Sequence, residues 1–429
     1  MEKLLKLATQ AADQAEVFFT NDTSDDVSFT DSKLDKADTS MSAGIALRVI
    51  KDGKIGLAHT RNLLDREALV KQALLSAKDG MEVGFSFPLT TNVPKIDSYN
   101  PSIETISKKD LVDEGKRMIE YINKKTGGQV NAGFGYATSH AGIMNSAGTN
   151  LSQKDSDYWV YAMLVFPGTG SGLFKLATAK SHVPLSREKL DEMIELFILS
   201  QNQIVPETGK MPVIFAESSH SALLSRFFAA ASPTSFYNKV SPLVNRIGEQ
   251  IVSAKLNLWQ DPFDKELSSQ AAFDCEGTPT QKLAYIENGI FKAIPTDLNY
   301  AHKLGLAPTG NGFRGSIEAS PSAQPFNICM GMGDKSLKEM ISGIDKGIIV
   351  QGLMGAHSGN ILNGEYSVGV SSGFYIEHGV IKGRVKDCML SGNAYDTLMH
   401  VSEIENQCHN SGSRKLPSIL CDGVSVAGK

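Results

Sequence analysis

Ala46-Leu-Arg-Val-Ile-Lys-Asp-Gly-Lys-Ile-Gly-Leu-Ala58 reads as two β-forming runs joined by Asp52-Gly53. An Asp-Gly pair between apolar runs signals a hairpin, because both turn positions need a positive φ that Gly adopts freely and Asp tolerates. The same signature recurs at Glu287-Asn-Gly289 and Glu377-His-Gly379, each between β-formers. Antiparallel sheet is therefore expected in both halves of the chain. Helical periods interrupt it. Asp65 is placed to cap a helix reaching Lys78. Leu111, Gly115, Met118, Ile119 and Ile122 are in phase over 108–123, and Leu190, Met193, Ile194, Phe197 and Ile198 over 187–201. A short helix over 335–345 has two possible caps, Asp334 or a box of Ser336 with Glu339. Residues 1–16 carry the pattern of an amphipathic helix, with strands over 17–60 and 129–182. The stretch 84–102, with Pro88, Pro94 and Pro101, reads as an extended crossing.

Strands and helices thus alternate irregularly, and the expected class is α+β. A chain of 429 residues exceeds one ordinary core. Pro206, Gly209 and Pro212 mark the main division. The expected domains are an N-terminal α+β region, 1–207, and a C-terminal, mainly antiparallel β domain with a few helices, 208–429. The first is either one unit or two parts, 1–84 and 102–207.

The net charge of −5 argues against a nucleic-acid-binding face. No apolar run is long enough to span a membrane. The N-terminus lacks the apolar core of a signal peptide. The five cysteines, Cys275, Cys329, Cys388, Cys408 and Cys421, are odd in number and form no CxxC pair. They read as reduced thiols of a cytoplasmic protein.

Chemical motifs are incomplete. Gly310-Asn-Gly-Phe-Arg-Gly315 fits a dinucleotide loop, but the following residues carry prolines and no helical period. Gly369-Val-Ser-Ser-Gly373 fits a nucleophile elbow, but a strand and a turn follow it. His400, Glu403, Cys408 and His409 have the donor types of a zinc site without a standard spacing, so His400, Cys408 and His409 stand only as outlying metal candidates. His220 reads as a capping or surface residue at a helix start.

Several segments taken together resemble a known family. They are Phe273-Asp-Cys-Glu-Gly-Thr-Pro-Thr280, Tyr300-Ala-His-Lys-Leu-Gly-Leu-Ala-Pro-Thr-Gly310, Leu353-Met-Gly-Ala-His-Ser-Gly-Asn360, Leu390-Ser-Gly-Asn393 and the terminal run Leu416 to Gly428. With Gly44 to Gly53 they resemble, in order and spacing, the TldD/PmbA family, also called modulators of DNA gyrase. The resemblance implies a two-subunit zinc metalloprotease acting on small or unfolded peptides. Its TldD branch carries an HExxxH helix and a C-terminal Cys. The matching helix here reads Ser221-Ala-Leu-Leu-Ser-Arg226, and the Cys position falls near Ser411-Gly-Ser413, so the chain resembles the PmbA/TldE branch. The implied role is a non-catalytic subunit with no metal of its own. It would pair with a TldD-like chain that holds the zinc, or form a homodimer when alone. Thr309, Gly310, Gly355, His357 and Asn360 are the candidates for lining a peptide channel, where strand edges would hold an extended chain. A self-sufficient homodimeric hydrolase and a non-enzymatic peptide-binding protein are the alternatives.

Overall fold

The Asp52-Gly53 turn forms as its sequence predicts. Asp52 and Gly53 take φ values of 50° and 75°, and strands β2 (Lys33–Lys51) and β3 (Lys54–Thr60) pair from Lys51↔Lys54 to Ile45↔Thr60. The other two turns behave alike: Asn288-Gly289 and His378-Gly379 all have positive φ. The structure, a computed structural model, describes residues 1–428. Lys429, at the end of the expected C-terminal domain, lies outside the described residues.

The fold is α+β and is organised by two large sheets. The first has six antiparallel strands in the order β3-β2-β1-β4-β5-β6, with β1 Gln14–Thr30, β4 Val130–Asn145, β5 Asn150–Val165 and β6 Gly172–Ala179. The initial helix is shorter than its charge pattern predicts. α1 (Glu2–Ala11) stops where Ala12 turns extended, and Ala15 and Val17 of β1 enter one core with Leu4 and Ala8. Sheet pairing, which satisfies every backbone group along β1, overrides the weak helical period there. α2 (Arg66–Lys78) begins at the expected cap, where Asp65 accepts the Ala68 N–H at 2.9 Å. The proline-bearing stretch 84–100 has no regular structure.

α3 (Lys108–Thr126) is started by a capping box of Ser107 and Asp110, and α4 (Arg187–Leu199) by Ser186. Both cover one face of the first sheet. On β5 the residues Tyr158, Val160, Ala162 and Leu164 are buried beneath them, while Trp159, Tyr161 and Met163 point to the other face.

In the second sheet, strand Lys346–Met354, β8 (Gly209–Phe215), strand Ile419–Ala427, strand Met389–Asn393 and strand Glu365–Glu377 follow one another. Glu365–Glu377 also pairs with Lys346–Met354, so these five strands close into a ring. Strand Val380–Val385 extends the sheet to β7 (Gln203–Ile204). β7 precedes the expected division at 207 yet is hydrogen-bonded to the second sheet. Helix Leu337–Ser342 takes the Ser336–Glu339 box of its two possible caps. A smaller sheet, also of six strands but short ones, ends on strand His409–Ser411.

One apolar cluster runs from Phe134 and Leu164 of the first sheet, through Met118 of α3 and Phe197 of α4, to Ile349, Phe374 and Leu420 of the second. The two sheets are thereby packed through a shared helical layer.

Candidate functional site

A cavity of about 1340 Å³ opens where the edges of the sheets meet. The turn Thr169–Gly172 and β6 form one wall. The first turn of α4 contributes Ser186, Glu188 and Lys189. Opposite stand Glu217 and Ser218, the bulged pair of strands at Gly352 and Ser371, the link from Arg384 to Met389, and strand His409–Ser411.

Two of these borders are open strand edges. β6 ends the first sheet and His409–Ser411 ends the smaller one. Their Cα atoms come within 8 Å without ladder pairing. Residues of both parities, Phe174, Lys175 and Leu176, line the cavity, as an edge presented sideways requires. One outward carbonyl is covered, since Lys189 Nζ donates to Leu176 O at 3.2 Å.

Two ion pairs close at the cavity. Lys175 pairs with Glu192 at 2.7 Å. His409 Nε2 meets the Glu405 carboxylate at 3.0 Å. That hydrogen bond raises the histidine pKa against the opposing effect of burial, with Glu217 also favouring the cation. Lys189, half-buried and near Lys175, is held below the ordinary lysine range, chiefly by desolvation.

The metal candidates do not gather. His400 Nδ1 faces Asp396 O at 2.7 Å at the end of a short helix. Cys408 Sγ faces Met330 O at 3.6 Å, and burial raises its thiol pKa. Glu403 pairs with Lys335. Each of the four is engaged by a different partner, and His409 alone lines the cavity. Among the described residues no three His, Cys, Asp or Glu side chains form a metal-holding group. The donor set does not fit zinc.

α5 (Ser221–Ala230), the helix matched to the metal-binding helix, carries a different device. Arg226 is fully buried. Its guanidinium donates to Ala222 O, Ala356 O, Ser358 O and Glu365 O at 2.6–3.0 Å. It thus ties α5 to the loop 355–364 through Ala356 O and Ser358 O, and to the strand that follows through Glu365 O. His220, expected to cap α5 or face solvent, does neither. It is 1% exposed and makes no capping bond. Its Nε2 contacts Phe215 O at 3.2 Å, and burial lowers its pKa to about 4.

None of the five channel candidates lines this cavity. Gly355, His357 and Asn360 belong to the Arg226-held loop, where Gly355 (φ 75°) closes a turn with Ser358 and His357 is exposed. Thr309 and Gly310 lie in a separate network: Thr309 Oγ1 donates to Asn311 Oδ1 at 2.7 Å, and Gly310 packs on Pro279. Neither glycine-rich match forms its motif, although Gly369 and Ser371 of the second line the cavity. Gly312 starts a two-residue strand, and Ser371 sits within strand Glu365–Glu377. Sequence reasoning missed Lys175, Lys189, Glu217 and Arg384. In the run Val380 to Val385 Arg384 shares its parity with Lys382, so the sequence reads it as outward, and only the register shift between Ile381 and Gly383 turns it inward.

Comparison with known proteins fits this architecture. Residues 208–428 match the PmbA/TldA metallopeptidase C-terminal domain, and residues 15–77 match domain 1 of the same group. The chain belongs to the PmbA/TldD family. An uncharacterised protein of Methanocaldococcus jannaschii is 25% identical over 429 residues, with 99% of each chain covered. The crystal structure of TldE from Thermococcus kodakarensis superposes with a TM-score of 0.93 at 25% identity, over 100% of both chains. A proposed modulator of DNA gyrase from Thermotoga maritima superposes with a TM-score of 0.89 at 25% identity, over 99% of both. The family matches take in β1 to β3 of the first sheet and most of the second, while β6, on the cavity wall, lies between the two matched ranges.

Proposed function

We propose that this chain is the PmbA/TldE-like, non-catalytic component of a TldD/TldE-type metallopeptidase. The carrying observation is the cavity itself. It offers open strand edges to an extended peptide and assembles no hydrolytic set around them. Backbone pairing along β6 would hold a peptide with little regard to its sequence, which suits small or unfolded substrates. On α5, Arg226 supplies a fixed cation spent on four carbonyls, which is chemistry for shaping a wall and not for activating water. The zinc belongs to a TldD-like partner in this reading, and the working site is a chamber built by both chains in the cytoplasm.

The test is reconstitution. The purified chain, a TldD-like protein and their mixture are each incubated with an unstructured peptide, with and without a chelator. Cleavage in the mixture that exceeds either component and is abolished by chelation is expected. Cleavage by this chain alone would establish the self-sufficient hydrolase instead. Peptide binding with no gain of cleavage in the mixture would establish a binding protein.

A further inference from the structure

Arg384 is a cation in an unusual position. It lies opposite Phe374 in the ladder, so its side chain turns toward the apolar layer shared by the two sheets. Its guanidinium carbon lies 4.3 Å from the Phe166 ring centroid. The residue is only 7% exposed, and its Nε is sealed from solvent with no acceptor. Among the described residues no protein oxygen accepts a hydrogen bond from its guanidinium, and burial is the sole influence on its pKa. Two of the other buried arginines are fully answered, and Arg314, though its Nε and Nη2 lack hydrogen bonds, still faces a carboxylate. Arg48 meets Glu16 and Glu276, Arg226 meets four carbonyls, and Arg314 donates to Ala319 O with Glu16 at 3.9 Å.

A guanidinium does not escape burial by losing its proton. In Arg384 the Nε is sealed while the two terminal nitrogens are not, so the fork opens onto the cavity and is free to take an anion. Arg384 lines the cavity. A planar fork facing such a space matches a carboxylate, which accepts two parallel N–H bonds. The rest of the lining carries charges of both signs: Glu188, Glu192, Glu217 and Asp387 stand with Lys175, Lys189 and Lys386, and Lys175 is already neutralised by Glu192, so no concentrated positive field favours a polyanion.

We propose that Arg384 anchors a carboxylate of the bound peptide, so that the cavity selects peptides carrying one, at the C-terminus or on an acidic side chain. This rests on the peptide-binding reading above and adds a specificity to it.

Isothermal titration calorimetry on the full chain tests it with three N-acetylated Ala/Ser peptides of equal length. One ends in a free carboxylate, one in an amide, and one in an amide with a central Glu. The free acid should bind about tenfold tighter than the plain amide or better, as expected for a charge-assisted pair. Arg384→Met should erase that difference, and Arg384→Lys should retain part of it. Affinity regained by the Glu peptide assigns the anchor to side chains, and affinity confined to the free acid assigns it to the terminus. Equal binding of acid, amide and Glu peptides to the unaltered chain would overturn the anchor while leaving peptide binding intact. Failure of all three to bind would overturn both. Should Arg384→Met not fold, the acid–amide comparison on the unaltered chain decides.

Discussion

Two histidines near one another in the fold answer pH in opposite senses. His409 is raised by Glu405, whose own pKa is lowered mainly by its bonds to His409 and Ser418 despite burial. The pair stabilises the fold while both are charged. For His409 that contribution is complete below the unfolded histidine value of about 6.5 and disappears as pH rises through its higher folded value. For Glu405 it disappears as pH falls through a value below the ordinary 4.5. Glu405→Gln should therefore destabilise most between these limits, and NMR titration should show the His409 pKa dropping in that variant. His220 behaves inversely. Its folded pKa near 4 means that the unfolded chain binds the extra proton between about pH 6.5 and 4, so stability falls as pH falls across that window. The loss is on the order of 3 kcal/mol. His220→Gln should flatten that acid-side slope in denaturant titrations. A slope unchanged by the substitution would remove His220 from the account.

At the scale of elements, helices hold strands and loops through single close contacts. Gly115 of α3 passes so near the first sheet that an added Cβ would lie 2.3 Å from Phe29 Cε2 and 3.0 Å from a Phe134 ring carbon. Gly115→Ala should cost about 1–3 kcal/mol through overpacking, even though alanine favours helix, and thermal unfolding would report it. α5 holds the loop 355–364 through Arg226 alone. Arg226→Met should cost about 1–3 kcal/mol, because it leaves the carbonyls of Ala356, Ser358 and Glu365 without their donor. Hydrogen exchange should show the amides of Ser358 and Glu365 losing protection before those of β8. Uniform loss across the second sheet would show that Arg226 acts globally.

Across the whole molecule, an ion cluster couples the two halves. Arg48 of β2 is buried against Glu16 of β1 at 2.8 Å and Glu276 of the C-terminal half at 2.9 Å. Glu276 also accepts the Leu298 N–H. Glu276→Gln removes one carboxylate from a buried cation and should destabilise by about 3–5 kcal/mol. Limited proteolysis should then cut first in the 84–100 stretch, which crosses between elements without regular structure. Because the cavity is bounded by β6 on one side and strand His409–Ser411 on the other, loosening this clamp should weaken peptide binding without altering any lining residue.

What the sequence determined by itself was local. Asp52-Gly53, Asn288-Gly289 and His378-Gly379 each set a hairpin through positive φ. Asp65 starts a helix at the position its side chain predicts, and Ser336 does so as one of the two caps offered there. The collinear segments identified the family, because order and spacing survive without any knowledge of contacts. What only the tertiary structure decided was which side chains share a space. His409 lies in the cavity while neighbouring Cys408 does not line it, and Gly355 to Asn360 belong to a loop pinned from α5. Arg384 differs from any surface arginine only in what surrounds it. Turn and cap preferences act over a few residues. Burial, charge compensation and convergence arise between residues far apart in the chain, and no local pattern encodes them.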